Sequence, residues 1–126
     1  MRLRQILGSW ILAGLWIPFS AMAGEPMVED VVAEPSVAGG YNFSVTIRHA
    51  DEGWHHYADK WVVLSPDGKT ILAERVLFHP HVDEQPFTRG LRAVLVPEAY
   101  KTVLVRAHDR KYGWSTKDYV VTLPDR

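Results

Sequence analysis

The chain has 126 residues, a length that suits one folded domain, since domains typically hold about 100–150 residues. Its formal net charge of -1 excludes the strongly basic surface that nucleic-acid-binding domains carry. It contains no cysteine, which excludes disulfides, cysteine-ligated zinc, iron–sulfur clusters, thiolate-ligated blue copper and a lipid anchor on cysteine.

The first 23 residues have the features of a secretory signal. A positively charged start is followed by an apolar run over Ile6–Phe19, and Ala21-Met22-Ala23 forms an A-x-A cleavage site. The apolar run is shorter than the ~20 residues that a membrane-spanning helix needs. We therefore expect residues 1–23 to be removed as a signal peptide, leaving a single domain of residues 24–126 without a membrane span. This mature chain should be periplasmic or secreted.

Beyond residue 24 the sequence has no helical periodicity and repeatedly alternates apolar with polar residues, the pattern of half-buried β-strands. Met27–Ala33 is the first predicted strand and lies between two prolines. Tyr41–His49 is the second, and its odd-numbered residues from Tyr41 to Ile47 form the apolar face.

A β-hairpin is predicted from Tyr57–Leu64 and Thr70–Leu77, because Ser65–Lys69 between them has the composition of a turn. Pro66 fixes the backbone φ at the start of this turn. Gly68 accepts the positive φ that other residues resist.

Three further strands are predicted at Leu91–Val96, Thr102–His108 and Lys117–Leu123, which brings the total to seven. Seven short strands within about 100 residues, separated by frequent turns, favour an all-β fold, a seven-stranded immunoglobulin-like β-sandwich. A small closed β-barrel is the alternative.

Two segments resemble known families. Val96-Pro97-Glu98-Ala99-Tyr100, followed by the alternating Val103, Val105 and Ala107, resembles the corner and penultimate strand of fibronectin type III-like domains. His79-Pro80-His81, followed by Glu84-Gln85-Pro86-Phe87-Thr88-Arg89, is similar to a segment of small exported bacterial domains of unknown function. These resemblances imply a fibronectin type III-like sandwich and no particular activity.

The six histidines of the chain are confined to three segments, namely His49–His56, Phe78–Gly90 and His108–Thr116. Connections alternate between the two ends of an antiparallel sandwich, so these three loops are expected at the same end. Imidazoles gathered in this way could bind a transition-metal ion.

His79-Pro80-His81 is the most specific local pattern for metal binding. Pro80 favours an extended backbone at His79, and alternate residues of an extended segment point the same way, with Cα atoms about 6.8 Å apart. His55 and His56 are adjacent in the first loop, so in an extended segment they would point to opposite sides. We favour His56, because it would point to the same side as Trp54 and Ala58. The predicted metal ligands are therefore His56, His79, His81 and His108, with His49, His55 and Asp109 as possible additional ligands.

Imidazole and carboxylate ligands favour Cu(II), Zn(II) or Ni(II), and the mature chain offers only Met27 as a thioether ligand for Cu(I). The sequence lacks the motifs of serine hydrolases, phosphate-binding loops and helical zinc proteases. We therefore expect no catalysis and no organic cofactor. The favoured function is that of a non-catalytic periplasmic domain that binds copper or zinc.

Aromatic and charged residues in the same loops indicate an alternative function, the metal-free binding of another protein of the cell envelope. The histidines would then only hydrogen-bond to carboxylates of the loops. The residues expected to contact such a partner are Trp54, Phe87, Arg89, Tyr112 and Trp114.

Overall fold

The computed structural model describes residues 24–126, and all regular secondary structure in this range is β-strand. The predicted signal peptide at residues 1–23 lies outside the described residues. The strands are β1 (Met27–Pro35), β2 (Tyr41–Arg48), β3 (Ala58–Leu64), β4 (Ile71–Val76), β5 (Phe87–Val94), β6 (Thr102–Asp109), β7 (Gly113–Trp114) and β8 (Tyr119–Thr122). Between Gly24 and Arg126 no helix is long and apolar enough to cross a membrane.

The strands form two antiparallel sheets, which confirms the prediction of an all-β fold. One sheet has the order β1-β2-β5. The other has the order β4-β3-β6, and β7 and β8 pair with the free edge of β6 at its two ends. β6 is therefore hydrogen-bonded on both sides. The more specific immunoglobulin-like and fibronectin type III-like assignments stay predictions.

A single apolar core joins the two sheets. The odd-numbered residues of β2 from Tyr41 to Ile47 are buried, as predicted, and Trp61 of β3 has no solvent exposure. The inward residues of β6 complete this core with alternating small and branched side chains, namely Val103, Val105 and Ala107. Burial of each large apolar side chain stabilises the fold by about 1.5–3 kcal/mol.

The predicted hairpin is confirmed by the antiparallel pairing of β3 with β4. Its turn contains Gly68 at a φ of 74°, and the Gly68 N–H donates to the Ser65 carbonyl at 2.9 Å. Both residues lie within Ser65–Lys69, the segment whose composition predicts a turn.

The fifth predicted strand, Leu91–Val96, has the wrong bounds. β5 begins at Phe87, which pairs with Ile47, and ends at Val94. The sequence does not indicate that the strand extends back to Phe87, because Gly90 interrupts this segment and glycine is unfavourable within a strand. In the structure a Cβ atom on Gly90 would lie 3.3 Å from the Phe43 carbonyl oxygen, so the glycine allows the two backbones to approach closely.

The last predicted strand, Lys117–Leu123, corresponds to β8, but β7 precedes it as a separate strand. β7 has only two residues, which is too short to produce a recognisable alternation. Its pairing places Trp114 opposite His108 and Gly113 opposite Asp109 at the end of β6.

Candidate metal centre

Three polar side chains meet at one end of the core. His49 directly follows β2, His56 lies two residues before β3, and Asp109 is the last residue of β6. β3 and β6 pair with Ala58 opposite Asp109, which brings the loop that carries His56 next to this carboxylate. Within residues 24–126, these three residues alone form a group whose potential ligand atoms all lie within 4.8 Å of one another.

The alternation of the strands explains why His49 and Asp109 point inward. His49 continues the buried, odd-numbered face of β2, two residues beyond Ile47. Asp109 likewise lies two residues beyond Ala107 on the buried face of β6. Each strand therefore ends its apolar face with a polar residue, and both residues are buried.

The Asp109 carboxylate is the centre of the group. Its Oδ2 atom lies 2.6 Å from His49 Nε2 and 2.8 Å from His56 Nε2. The two imidazole rings are nearly perpendicular, with centroids 5.0 Å apart. The other carboxylate oxygen, Oδ1, accepts the backbone N–H groups of Lys111 at 2.6 Å and Tyr112 at 3.1 Å. Asp109 is thus held from one side, and Oδ2 remains the oxygen available to a metal.

A second carboxylate orients His49 from the opposite side of its ring. His49 Nδ1 lies 2.5 Å from Asp51 Oδ1. Asp51 is itself fixed, since it accepts the N–H groups of Ala58 at 3.0 Å and His81 at 2.7 Å. A carboxylate bonded to the nitrogen that faces away from the metal is the usual partner of a metal-ligating histidine.

His56 has a similar but looser arrangement. Its Nδ1 atom is buried without a hydrogen-bond partner, and the nearest carboxylate oxygen, Glu52 Oε1, is 3.4 Å away. His56 Nε2 lies within hydrogen-bonding distance of Asp109 Oδ2. A neutral imidazole that gave Nε2 to a metal would carry its proton on Nδ1, beside Glu52.

The charges of the group are coupled through His49. Burial opposes a charged ring, but the hydrogen bonds to Asp51 and to the Gly24 carbonyl and the negative charge of Asp109 outweigh it, so the pKa of His49 is raised. Burial also opposes ionisation of Asp51, yet the hydrogen bonds from His49 and from two backbone N–H groups lower its pKa. The ring of His49 thus lies between the carboxyl groups of Asp51 and Asp109, and its raised pKa favours the protonated ring.

An open cleft of about 450 Å³ reaches His56 and Asp109 of this group. Its wall includes Gly24, Glu52, His56, Asp109, Tyr112 and Trp114. The cleft gives a metal ion a route to the buried ligand atoms, which a functional site requires.

The other predicted ligands in the long loop lie outside this group. His81 is buried, but its Nε2 atom accepts Arg89 Nη2–H at 2.9 Å, and its ring stacks on Phe87 with centroids 3.9 Å apart. His79 is exposed, and its ring centroid lies 4.6 Å from that of His81. The structure therefore brings these two rings together but engages the lone pair of His81 with an arginine.

His108 and His55 also lie outside the group. His108 neighbours Asp109 on β6, so it points to the opposite face, where Nδ1 bonds to Asp59 Oδ1 at 2.6 Å. Its ring packs edge-on against Trp114. His55 is exposed, whereas its neighbour His56 is buried.

The proposed partner-binding residues divide into two kinds. Trp54, Tyr112 and Trp114 expose 62%, 64% and 43% of their surface. Phe87 exposes only 2%, because it begins β5 and packs in the core, so its assignment as a surface contact was wrong. Arg89 is partly exposed, but its guanidinium also donates to His81.

Asp51 and Glu52 are not among the metal ligands that the sequence predicts. The sequence indicates Asp51 only as one of the loop carboxylates that would accept hydrogen bonds from the histidines in the metal-free alternative. Asp51 follows His49 at a spacing of two residues, and the residue between them, Ala50, is exposed. A His-x-Asp pattern directly after a core strand was the signal that could have identified this carboxylate as a partner of His49. Glu52, four residues before His56, carried no comparable pattern.

No protein-family model matches the chain. The chain is similar to a protein of Halomicrobium mukohataei described as "Putative lipoprotein", with 38% identity over 97 residues. The aligned region covers 77% of this chain and 47% of the Halomicrobium protein, so the chain spans about half the length of this relative.

Proposed function

We propose that this protein is an exported, non-catalytic metal-binding protein of the cell envelope that holds one Cu(II) or Zn(II) ion. The proposed ligands are His49 Nε2, His56 Nε2 and Asp109 Oδ2. The observation that carries this proposal is the convergence of three buried ligand atoms. Each ligand residue also has a partner for its other polar atom. Asp51 bonds to His49 Nδ1, Glu52 lies near His56 Nδ1, and the Lys111 N–H bonds to Asp109 Oδ1.

The distances within the group are near those of a metal site. Ligand atoms around a tetrahedral ion with bonds of 2.0–2.1 Å are about 3.3 Å apart. The distances from Asp109 Oδ2 to the two Nε2 atoms are 2.6 and 2.8 Å, about half an ångström shorter than this value, and all three ligand atoms lie within 4.8 Å of one another.

The composition of the group also favours an ion. Two buried carboxyl groups, those of Asp51 and Asp109, flank the His49 ring. These groups would compensate the charge of a divalent ion, and a buried charge is stable only when it is compensated. His79, His81 and His108 are not part of the proposed ligand set.

Two observations support an envelope location. Residues 1–23 have the sequence features of a secretory signal, and the Halomicrobium relative carries the description "Putative lipoprotein". We infer that the mature protein is periplasmic or secreted.

Direct titration of the metal-free protein tests the proposal. Cu(II) and Zn(II) should each bind at one equivalent at neutral pH, with Fe(II) as a comparison because two histidines and one carboxylate also suit that ion. His56→Ala should weaken binding by more than about 100-fold, since loss of a residue that merely orients a ligand already costs about 10- to 100-fold.

His108→Ala is the matched control, because His108 also bonds to an aspartate but lies outside the group. It should bind metal like the unmodified protein. Circular dichroism confirms that each variant is folded before titration. Absence of binding by the unmodified protein, or an equal loss in both variants, contradicts the proposal.

A metal-free protein-binding function is the second candidate, and the exposure of Trp54 and Trp114 favours it. Cross-linking in the cell envelope should then trap a partner that Trp54→Ala combined with Trp114→Ala no longer retains. His79→Ala serves as the control on the same surface. Retention of every partner by the double variant excludes this function for these two side chains.

A further inference from the structure

Gly24 lies against the proposed metal centre. Its carbonyl oxygen is 3.1 Å from His49 Nε2, the atom that also contacts Asp109. Gly24 also lines the cleft through which His56 is reached. The backbone nitrogen of Gly24 is three bonds from this carbonyl oxygen, which limits their separation to about 3.6 Å.

Residues 24–26 are fixed on the body of the protein. Glu25 accepts the hydroxyl groups of Ser115 at 2.8 Å and Thr116 at 2.7 Å. Pro26 is buried, and its carbonyl oxygen accepts Ser115 Oγ–H at 3.1 Å. These contacts hold the start of the described chain beside the centre.

A side chain on residue 24 would have to displace the ring of Tyr112. A Cβ atom at this position would lie 2.7 and 2.8 Å from two ring carbons of Tyr112. The Tyr112 ring in turn packs edge-on against His56, with centroids 5.3 Å apart. Glycine therefore lets the backbone approach the centre closely at this position.

The predicted cleavage site ends at Ala23, immediately before Gly24. In an uncleaved chain this nitrogen belongs to a peptide amide, whose lone pair is delocalised into the carbonyl group and which binds a metal only after it loses its N–H proton. Cleavage converts the same nitrogen into an amine with an ordinary pKa of about 7.7–8.0. On binding a metal, this amine releases its proton to solvent and donates its lone pair.

We propose that the α-amino group of Gly24, created by removal of the signal peptide, is a ligand of the metal centre together with the Gly24 carbonyl oxygen. This inference rests on the proposed function. Amine and carbonyl of one residue form a five-membered chelate ring with the ion. The complete set, three nitrogens with carboxylate and carbonyl oxygens, selects Cu(II), which favours tetragonal nitrogen and oxygen ligation and binds most tightly among the divalent first-row ions.

The test uses protein exported from the full-length gene and purified from the periplasm. Intact mass should show a chain that begins at Gly24. In a second form, one alanine is inserted between residues 23 and 24, so that the mature chain carries its amine one residue farther from His49. Cu(II) affinity should fall at least tenfold in this form, with an unchanged melting temperature of the metal-free protein.

Electron paramagnetic resonance identifies the nitrogen directly. Labelling with ¹⁵N-glycine should alter the nitrogen hyperfine splitting of bound Cu(II) in the normal mature form and leave it unchanged in the alanine-inserted form. His108→Ala, with the normal amino terminus, is the control and should behave like the unmodified protein.

The outcomes separate the two proposals. Equal Cu(II) affinities of the two forms, no effect of ¹⁵N-glycine, or a mature chain that starts elsewhere than Gly24 would overturn the role of the amine while the histidine–aspartate centre stands. Absence of Cu(II) binding by both forms would overturn this inference together with metal binding itself.

Discussion

At the scale of single residues, the candidate centre depends on carboxylates that fix the histidines. Asp51 Oδ1 bonds to His49 Nδ1, and two backbone N–H groups hold Asp51 in place. The ring therefore keeps its orientation whether Nε2 contacts a proton or an ion. Asp59 holds His108 at 2.6 Å in the same manner, but on the outer face of β6.

The residue Asp51 should control metal affinity without touching the ion. Asp51→Asn removes a charge that holds His49, and we expect metal affinity to fall by about 10- to 100-fold. Asp59→Asn is the matched control, because it removes the corresponding charge beside His108. Titration calorimetry measures both variants, and similar affinities in the two would contradict the assigned role of Asp51.

His81 should make the stability of the fold sensitive to acid. Burial and the positive charges of Arg89 and His79 lower its pKa from the ordinary value of 6.5. The unfolded chain then binds a proton more readily than the folded one as pH falls through 6.5, so this contribution to stability is complete above 6.5 and lost below it.

His81→Phe should remove this acid sensitivity while it retains an aromatic ring against Phe87. The free energy of unfolding of this variant, relative to the unmodified protein, should increase as pH falls from about 7.5 to 5. Urea unfolding at several pH values provides the measurement. A difference that is constant with pH would show only the steric effect of the substitution and contradict the prediction.

At the scale of elements, the turn between β1 and β2 depends on two glycines with different constraints. Gly39 and Gly40 have φ values of 98° and 67°. A Cβ atom on Gly40 would lie 2.1 Å from the Val94 carbonyl oxygen, whereas nothing lies within 4 Å of the corresponding position on Gly39. Only Gly40 therefore combines an unfavourable φ for other residues with a close backbone contact.

Alanine substitutions should separate these two effects. Gly39→Ala should cost about 1–2 kcal/mol through its φ alone. Gly40→Ala should cost at least about 2 kcal/mol more, because the turn or the end of β5 must move away from the new methyl group. Chemical unfolding compares the two, and equal losses would show that the contact with Val94 is easily relieved.

The success of the sequence prediction also varied by element. β2 was predicted well because one face is apolar over its whole length, whereas β5 is an edge strand whose outer face and glycine weaken the pattern. Phe87 was consequently assigned to a loop. β7 depends on its pairing with β6 and leaves no local pattern.

For the candidate site, chain direction predicted that the loops with histidines share one end, and His49, His56 and Asp109 from two of these loops meet there. The direction of each side chain determines whether a residue belongs to the group of His49, His56 and Asp109. Asp109 has the parity of the buried residues of β6, and His108 has the opposite parity, a distinction already present in the sequence. The bond between His81 and Arg89 depends on tertiary packing and could not be predicted.

At the scale of the whole molecule, the candidate centre links the two sheets. His49 follows β2 of the three-stranded sheet, and Asp109 ends β6 of the five-stranded sheet. An ion bound to both residues would therefore connect structures that otherwise meet mainly through the apolar core.

Metal should accordingly raise the melting temperature of the entire fold. An ion at 100 times its dissociation constant stabilises the folded state by about 2.7 kcal/mol, which corresponds to about 4–8 °C for a domain of this size. Thermal melts followed by circular dichroism measure this shift. Asp109→Ala should lose it, Asp59→Ala should retain it, and an unchanged midpoint for the unmodified protein would contradict the prediction.

The pairing of β6 on both sides has a consequence for how the site responds to its occupant. Strands on each flank restrain the end of β6, so the Asp109 oxygen is the least movable of the three ligand atoms. If the proposed centre binds an ion, the connection between β2 and β3, which carries His56, would move to accommodate it. Trp54 projects from this connection, so the loaded and empty proteins would present different outer surfaces to the envelope.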